Sequence, residues 1–460
     1  MINQHPVDKI IQTAMRYGAD FAEVFIEQKR STTITLDNRK IENASSFFDH
    51  GIGIRVISEG RTAYGATNDL SKKALLEMAK SVGKAVRAKN ADVKKITLVE
   101  MAPESPSMVK HHPSGVKLEE KCEIVKRANE TAWSAGTAIC QVKITYRDAV
   151  RRILIASSSG TYAIDEQVGT ALLVQTVAAD KEVLQTGYEV IGGSLGFETF
   201  DETMPEEIAE RAAKRALRNL KARPAPAGKM PVIIAGEAGG TMIHEAVGHG
   251  LEADLALDGN SVYSGKIGEQ VASPLVTVID DSTLQGKRGT FTFDDEGTCA
   301  KRTVLIEKGI LKNYMSDNIR AQRSKSVSTG NARRESYRVP PIVRMTNTII
   351  APGYDDAAAI LRDTESGLFV KRMGGGQVNT INGDFVFDVQ EGYLIEEGKL
   401  GDQVRGATLI GNGPKILMEI DRIANDLGFS IGTCGKSGQE APVSCGQPTL
   451  RIPEIVVGGM

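Results

Sequence analysis

Apolar positions along the chain change period several times, and those changes mark out its elements. Over residues 7–17 they recur at helical spacing, on one face of an amphipathic helix. The segments FAEVFIEQ, TTITLDN, GIGIRVIS and TAYGATN then alternate apolar with polar and are rich in β-branched residues, as antiparallel strands are. Helical spacing returns in SKKALLEMAKSVGKAVRAK, with Ser71 placed as the N-cap.

A second block repeats that order. A helix is expected over 118–135, strands in ICQVKITYRD, RRILIASSS and GTALLVQTVAAD, and a helix over 205–222. Two proline-rich stretches, MAPESPSMVKHHPSG (101–115) and ARPAPAGKMP (222–231), read as linkers, because proline continues neither a helix nor a central strand. They divide the chain into residues 1–100, 116–222 and 229–460. The shared helix, meander, helix order of the first two blocks points to a duplication or to one composite unit.

The third block opens with a strand in MPVIIAG and continues through EAGG into TMIHEAVGHGLEAD. Strands follow in LVTVIDD, GTFTFDD and TVLIEKG, with a helix near 354–364 and strands in DFVFDVQEGYLIEEGKL. A last helix, ILMEIDRIANDLG, leads into GTCGKSGQ. The whole predicts an α+β protein. Two N-terminal helix and antiparallel-meander blocks precede a C-terminal domain of mixed, mostly antiparallel β structure, which carries a helix able to bind zinc.

Composition adds limits. Of 460 residues, 41% are hydrophobic and 25% charged, ordinary for a folded soluble chain. A net charge of -2 gives no global field toward nucleic acid or an anionic membrane. No stretch approaches the ~20 apolar residues of a membrane span, and MINQHPVDKIIQTAMRYGAD has no secretory pattern. The expectation is a cytoplasmic protein with neither nucleic acid nor membrane as partner. The five cysteines (Cys122, Cys140, Cys299, Cys434, Cys445) are odd in number, scattered and free of any C-x-x-C pair, which argues against a disulfide framework. Each reads first as a small buried residue, with metal binding or catalysis as the alternative.

The stretch from Thr241 to Asp254 holds two of the chain's six histidines, His244 and His249, with Glu245 after the first. Metallopeptidase helices carry H-E-x-x-H; this one reads H-E-x-x-x-H. On a regular helix five residues turn about 140° past a full circle, so the two rings would not share a face. One extra residue in the turn, a π-bulge, realigns them, and Gly248 and Gly250 lower the cost of irregular backbone there. A helix distorted near Gly248 is therefore expected. Zinc wants nitrogen, sulfur or oxygen donors and an open position for water. Glu245 could accept that water's proton and pass it to a leaving amine. The competing reading is a pair of core histidines with a capping glutamate.

Two histidines need a third ligand. Cys434 leads, because a thiolate binds zinc well and the charge of Lys436 would lower its pKa. Glu252, Asp254, His111, His112 and Cys445 are the alternatives. GEAGG (236–240) lacks the G-K-[ST] ending of a phosphate loop, so its glycines are expected to permit a tight turn or a close approach.

At this point the chain resembles the TldD/PmbA metallopeptidases, on their TldD, catalytic, side. The resemblance is carried by GEAGGTMIHEAVGHGLEADL, SVYSGKIGEQVAS, FDDEGT, VLIEKGILKNYM, TGNARRESYRVPPIVRMTNT, GGGQVNTINGDFVF, VRGATLIGNGP and CGKSGQEAPVSCGQPTL, through nearly all of the third block, and by GIGIRV in the first. It implies one zinc ion per catalytic chain, bound by His244, His249 and Cys434 of the C-G-K motif, with Glu245 as base and Cys445 outside the site. The PmbA/TldE branch lacks the histidine motif. The resemblance further implies unfolded peptide or small-protein substrates, among them leader segments of modified peptides and antitoxin-like chains. These are cut inside a hollow homodimer or a heterodimer with a silent PmbA/TldE-type relative.

Extended peptides are commonly held by adding a strand to a sheet edge. Gly374, Gly375, Gly376 and a strand over 378–386 are candidates for that contact, and the Tyr337 hydroxyl for stabilising a tetrahedral intermediate. Arg333, Arg334 and Glu335, with Asp294, Asp295 and Glu296, either orient substrate or form structural ion pairs. Against the peptidase stand a non-catalytic regulatory or peptide-binding protein and a chaperone-like chamber.

Overall fold

The computed structural model describes residues 6–86, 96–102 and 109–459. The linker expected over 101–115 falls partly outside them. The first two blocks share one sheet. Helix α1 (Val7–Met15) leads into β1 (Phe21–Asp37), β2 (Lys40–Ser58) and β3 (Arg61–Thr67), then α2 (Lys72–Ala85), whose cap Ser71 accepts the N–H of Ala74 at 3.3 Å. After α3 (Leu118–Ser134) come β4 (Ile139–Ser157), β5 (Thr161–Asp180), β6 (Val183–Gly193) and α4 (Pro205–Lys221). The spatial order is β3-β2-β1-β4-β5, with β6 pairing β5, so β1 and β4 join the blocks antiparallel from Glu23 opposite Ser157 to Asp37 opposite Lys143.

The apolar pattern overcounts strands here. FAEVFIEQ and TTITLDN are one 17-residue strand, and ICQVKITYRD and RRILIASSS one of 19. The pattern breaks because the strand changes core without ending. Ala22, Val24 and Ile26 pack beneath α1 and α2. Ile34 and Leu36 pack in a separate core with α3 and α4. The polar residues between span the gap while the hydrogen-bonded ladder continues.

In the third block β7 (Gly228–Ile234) begins a barrel. It pairs with β11 (Ser366–Val378) and β17 (Leu450–Gly458). The sheet runs on through β14 (Thr408–Asn412) and β12 (Asp384–Glu396), with β13 (Lys399–Arg405) beyond, and β11–β12 pairing closes it. Beside it lies a second sheet of β9 (Arg302–Glu307), β8 (Val278–Asp281), β10 (Asn347–Ile350), β16 (Gln439–Gln447) and β15 (Gly428–Lys436), in that order, with β15 at the edge.

Three expected elements differ. GTFTFDD makes only an isolated Phe293–Cys299 bridge, because the Asp294 carboxylate takes the N–H groups of Glu296, Thr298 and Ala332 and curls the chain into a turn. ILMEIDRIANDLG is helical only to Glu419; Arg422 and Ile423 pair with β17, and Asp421 binds Arg451 at 2.8 Å. The strand expected over 378–386 is interrupted: Val378 ends β11, residues 379–383 form a hairpin turn closed by the Gly383 N–H on the Asn379 carbonyl at 2.7 Å, and residues 384–386 begin β12.

The sheet of the first two blocks docks on the third through buried ion pairs. Arg55 lies between Glu23 at 2.7 Å and Glu296 at 2.5 Å; Arg334 meets Glu23 at 2.5 Å; Arg151 joins Glu27 at 2.5 Å to Asp295 at 2.9 Å. Of the two readings of these motifs, Asp295, Glu296 and Arg334 fit the structural one. Such groups stay ionised in an interior only when paired this closely.

Candidate metal centre

The site is assembled by close backbone contact. A Cβ on Gly239 would lie 2.4 Å from the Ser430 Cβ, and one on Gly240 2.4 Å from the backbone nitrogen of Gly446. The glycines therefore seat the connection after β7 directly on the β15–β16 hairpin, which carries Cys434. Arg344, fully buried, donates to the carbonyls of Cys434 and Gln439 and fixes the hairpin from behind.

Helix 241–251 is irregular where its spacing required. Its α-helical turn Thr241–Ile243 passes into a π-helical turn His244–Gly248 and a 3-10 turn His249–Leu251, with the His249 N–H bonding the His244 carbonyl. The wide turn realigns the histidines, whose ring centroids are 5.1 Å apart. The flanking glycines have a different cause from the expected one. Gly248 is ordinarily helical (φ -54, ψ -54), but a Cβ there would meet the Met345 sulfur at 2.0 Å, and one on Gly250 the Tyr263 ring at 2.8 Å. They are small so that the helix can lie on Met345 and Tyr263.

Ligand atoms of His244, His249 and Cys434 all lie within 4.8 Å of one another, and Cys434 Sγ is 3.4 Å from His249 Nε2. Bonds of about 2.0–2.3 Å to a tetrahedral zinc place donors roughly 3.5 Å apart, so this set fits a metal. His244 Nδ1 is buried without a hydrogen-bond partner, so nothing within the described chain accounts for holding that nitrogen here. Burial by itself would raise the Cys434 thiol, but hydrogen bonds and charge from His244 and His249 outweigh it and bring it to about 5. Burial pulls His249 down, and the Glu252 carboxylate and Cys434 outweigh that, lifting it to about 10. Glu245 Oε2 lies 4.0 Å from His249 Nε2 and is the most accessible group of the set, its side chain 26% exposed.

The alternative ligands lie elsewhere or do other work. Glu252 accepts from His249 Nδ1 and so orients the ring. Lys436 binds Glu252 at 2.9 Å and Asp254 at 2.7 Å, so its charge acts on these carboxylates rather than on the thiol. His111 faces Asp201 and His112 faces Glu166, both in the central block. Cys445 hydrogen-bonds Ser430 at 3.1 Å, and burial pushes its thiol up to about 11.

His244, Glu245, His249, Cys434, Gly374 and Gly375 line one cleft of about 540 Å³. Two expected substrate contacts are corrected. Gly376 is outside that lining; a Cβ there would strike the Phe387 ring at 1.8 Å, so it serves barrel packing. Tyr337 is 2% exposed in a cluster with Phe25, Ile153 and Ile155, its hydroxyl 3.4 Å from Asp49, and it also lies outside the cleft. The opposite wall comes from Tyr188–Gly192 of β6, with Lys287 and Arg372. No local motif marks β6 as part of a site; only the tertiary arrangement brings it there.

Comparison with known proteins places the chain in a family. Family models described as PmbA/TldA metallopeptidase domain 1, central domain and C-terminal domain match residues 22–88, 111–220 and 227–459. A metalloprotease TldD homolog of Haemophilus influenzae is 35% identical over 96% of this chain and 93% of its own length. A metalloprotease of Methanocaldococcus jannaschii is 37% identical over 98% and 99%. In fold, the chain matches a Thermotoga maritima crystal structure named as a modulator of a DNA gyrase, with TM-score 0.81 and 22% identity over 98% of this chain and 99% of that one. It also matches TldE from Thermococcus kodakarensis, with TM-score 0.77 and 18% identity over 98% and 100%. A metallopeptidase ancestry and a His–His–Cys donor set beside a glutamate thus coincide in one molecule, which belongs to the PmbA/TldD metallopeptidase family.

Proposed function

We propose that this chain is a zinc-dependent peptidase that hydrolyses unfolded peptides or small proteins. The observation that carries the reading is Glu245 at the cleft, beside three donors within 4.8 Å of one another. His244, His249 and Cys434 would hold the ion, one per chain. When bound, zinc would polarise the scissile carbonyl and make water a competent nucleophile near neutral pH. Glu245 takes the proton of the attacking water and delivers it to the leaving amine. His249 holds its geometry through Glu252.

The shape of the cleft supports an extended substrate. β15 and β6 are both edge strands, and residues of both line it. A peptide chain laid along either edge gains main-chain hydrogen bonds whatever its sequence. A space of about 540 Å³ admits a few residues of extended chain and no folded domain. Gly374 and Gly375 leave room for the substrate backbone. The enzyme acts in the cytoplasm, as a homodimer or with a TldE-type relative. The name of the Thermotoga structure favours a regulatory, binding-only reading, but such a protein has no need of a base beside a metal donor set.

The test is Glu245→Gln. The variant should keep its metal and lose at least about 100-fold in turnover. A folded, metal-loaded variant that cleaves peptide at the wild-type rate would sink the mechanism.

A further inference from the structure

A second cavity, of about 380 Å³, adjoins the metal cleft. Thr433 lines both, and the consecutive pairs Gly192–Gly193 and Lys287–Arg288 each contribute one residue to either side. Its walls are rich in cations, several of which have no ion-pair partner among the described residues. Among the described residues, Lys29, Arg147, Arg288 and Arg333 line it and make no ion pair. The carboxylates in its walls are fewer and partly committed. Asp148 binds Lys121 at 2.6 Å and Asp295 binds Arg151 at 2.9 Å, which leaves the exposed Glu335 and Glu440.

The arginines are under-used as well as unpaired. Arg288 reaches only the Thr433 hydroxyl, at 3.3 Å, and its Nε is buried without a partner. Arg333 donates to the Met345 carbonyl at 2.7 Å and lies over the Phe291 ring. Arg147 is exposed, and its guanidinium makes no hydrogen bond with a described residue. Burial, then repulsion from Arg147, lowers Arg288 against the weaker pull of Tyr188 and Glu440; burial brings Arg333 to about 10, with the attraction of Asp295 and Asp280 opposed by repulsion from Arg344 and Arg151. Like charges held together in a concave site are stable only at a cost, and an anion entering the site removes that cost. Guanidinium forks suit a planar carboxylate in particular.

We propose that this cavity is a carboxylate subsite, in which Arg147, Arg288 and Arg333 anchor an acidic side chain or the free C-terminal carboxylate of a peptide lying along β15. The inference rests on the peptidase reading for its ligand, and it narrows the substrate class to peptides carrying a negative charge a few residues from the cleaved bond. At about 3.4 Å per extended residue, one strand of substrate spans both cavities.

Binding tests it apart from catalysis. The metal-loaded full-length Glu245→Gln protein is titrated against three labelled unstructured peptides. One has an internal glutamate and an amidated end, one has glutamine there and a free C-terminus, and one has glutamine and an amidated end. At least one charged peptide should bind about tenfold tighter than the neutral one. The one that does identifies the source of the carboxylate. The preference should vanish in Arg147→Gln/Arg288→Gln, where Arg147 is exposed and its loss leaves the core intact. Equal affinity for all three, no binding of any, or a preference that survives the double substitution overturns the subsite. Wild-type cleavage of all three at one KM would do so while leaving the peptidase standing. A charge preference without any cleavage would keep the subsite and remove the peptidase.

Discussion

Glu252 Oε2 lies 3.0 Å from His249 Nδ1, and the same oxygen is 2.9 Å from the Lys436 ammonium. The carboxylate therefore receives the Nδ1 proton of His249, which leaves Nε2 facing Cys434. Glu252 is fully buried; burial raises its carboxyl, but the charges of His249 and Lys436 outweigh this and hold it below its usual range. Partners of this kind fix the tautomer and raise the basicity of a ligating ring.

Glu252→Gln keeps the shape of the side chain and removes its charge. Zinc affinity should fall about 10–100-fold, with the fold retained. Competition against a chromophoric chelator measures it. Unchanged affinity would show that His249 needs no orienting partner.

Cys434→Ser removes the only thiolate of the donor set. Zinc content after dialysis should drop from one per chain to a small fraction of that, an affinity loss beyond about 100-fold. Metal analysis of the purified variant decides the matter, and full zinc occupancy would take Cys434 out of the site.

Arg55→Ala leaves Glu296 buried without its cation and Glu23 with Arg334 alone. The expected loss of stability is about 3–5 kcal/mol, read from denaturant unfolding. Metal affinity of the folded fraction should be unchanged, because this network fastens the sheet of the first two blocks to the third and does not touch the metal donors. A selective loss of metal with normal stability would return Glu296 to the list of functional residues.

Much of this was legible in the chain, and the failures share a cause. The Ser71 cap and the helices around it follow from local spacing, which local hydrogen bonds enforce. The five-residue histidine spacing foretold the π-turn, since no regular helix aligns those rings. Strand limits failed where β1 and β4 pass from one core to another, because apolar pattern reports burial rather than hydrogen bonding. Lys436 could be seen to lie near Cys434 in sequence, but not that Glu252 and Asp254 would capture it. Tyr337 seemed free to reach a substrate until the sheet of the first two blocks covered it. The β6 wall and the basic cavity arise between blocks far apart in sequence, and no local pattern encodes them.

The central claim is that the His244, His249 and Cys434 donors hold a zinc ion that works with Glu245 to cut peptide bonds. Its most direct test is mass analysis of the products from an unfolded peptide, using protein of measured metal content, before chelation, after it and after zinc is restored. Expected are one zinc per chain, defined fragments from the untreated protein, none after chelation and their return with zinc. Fragments that persist at the same rate in metal-free protein would contradict the claim.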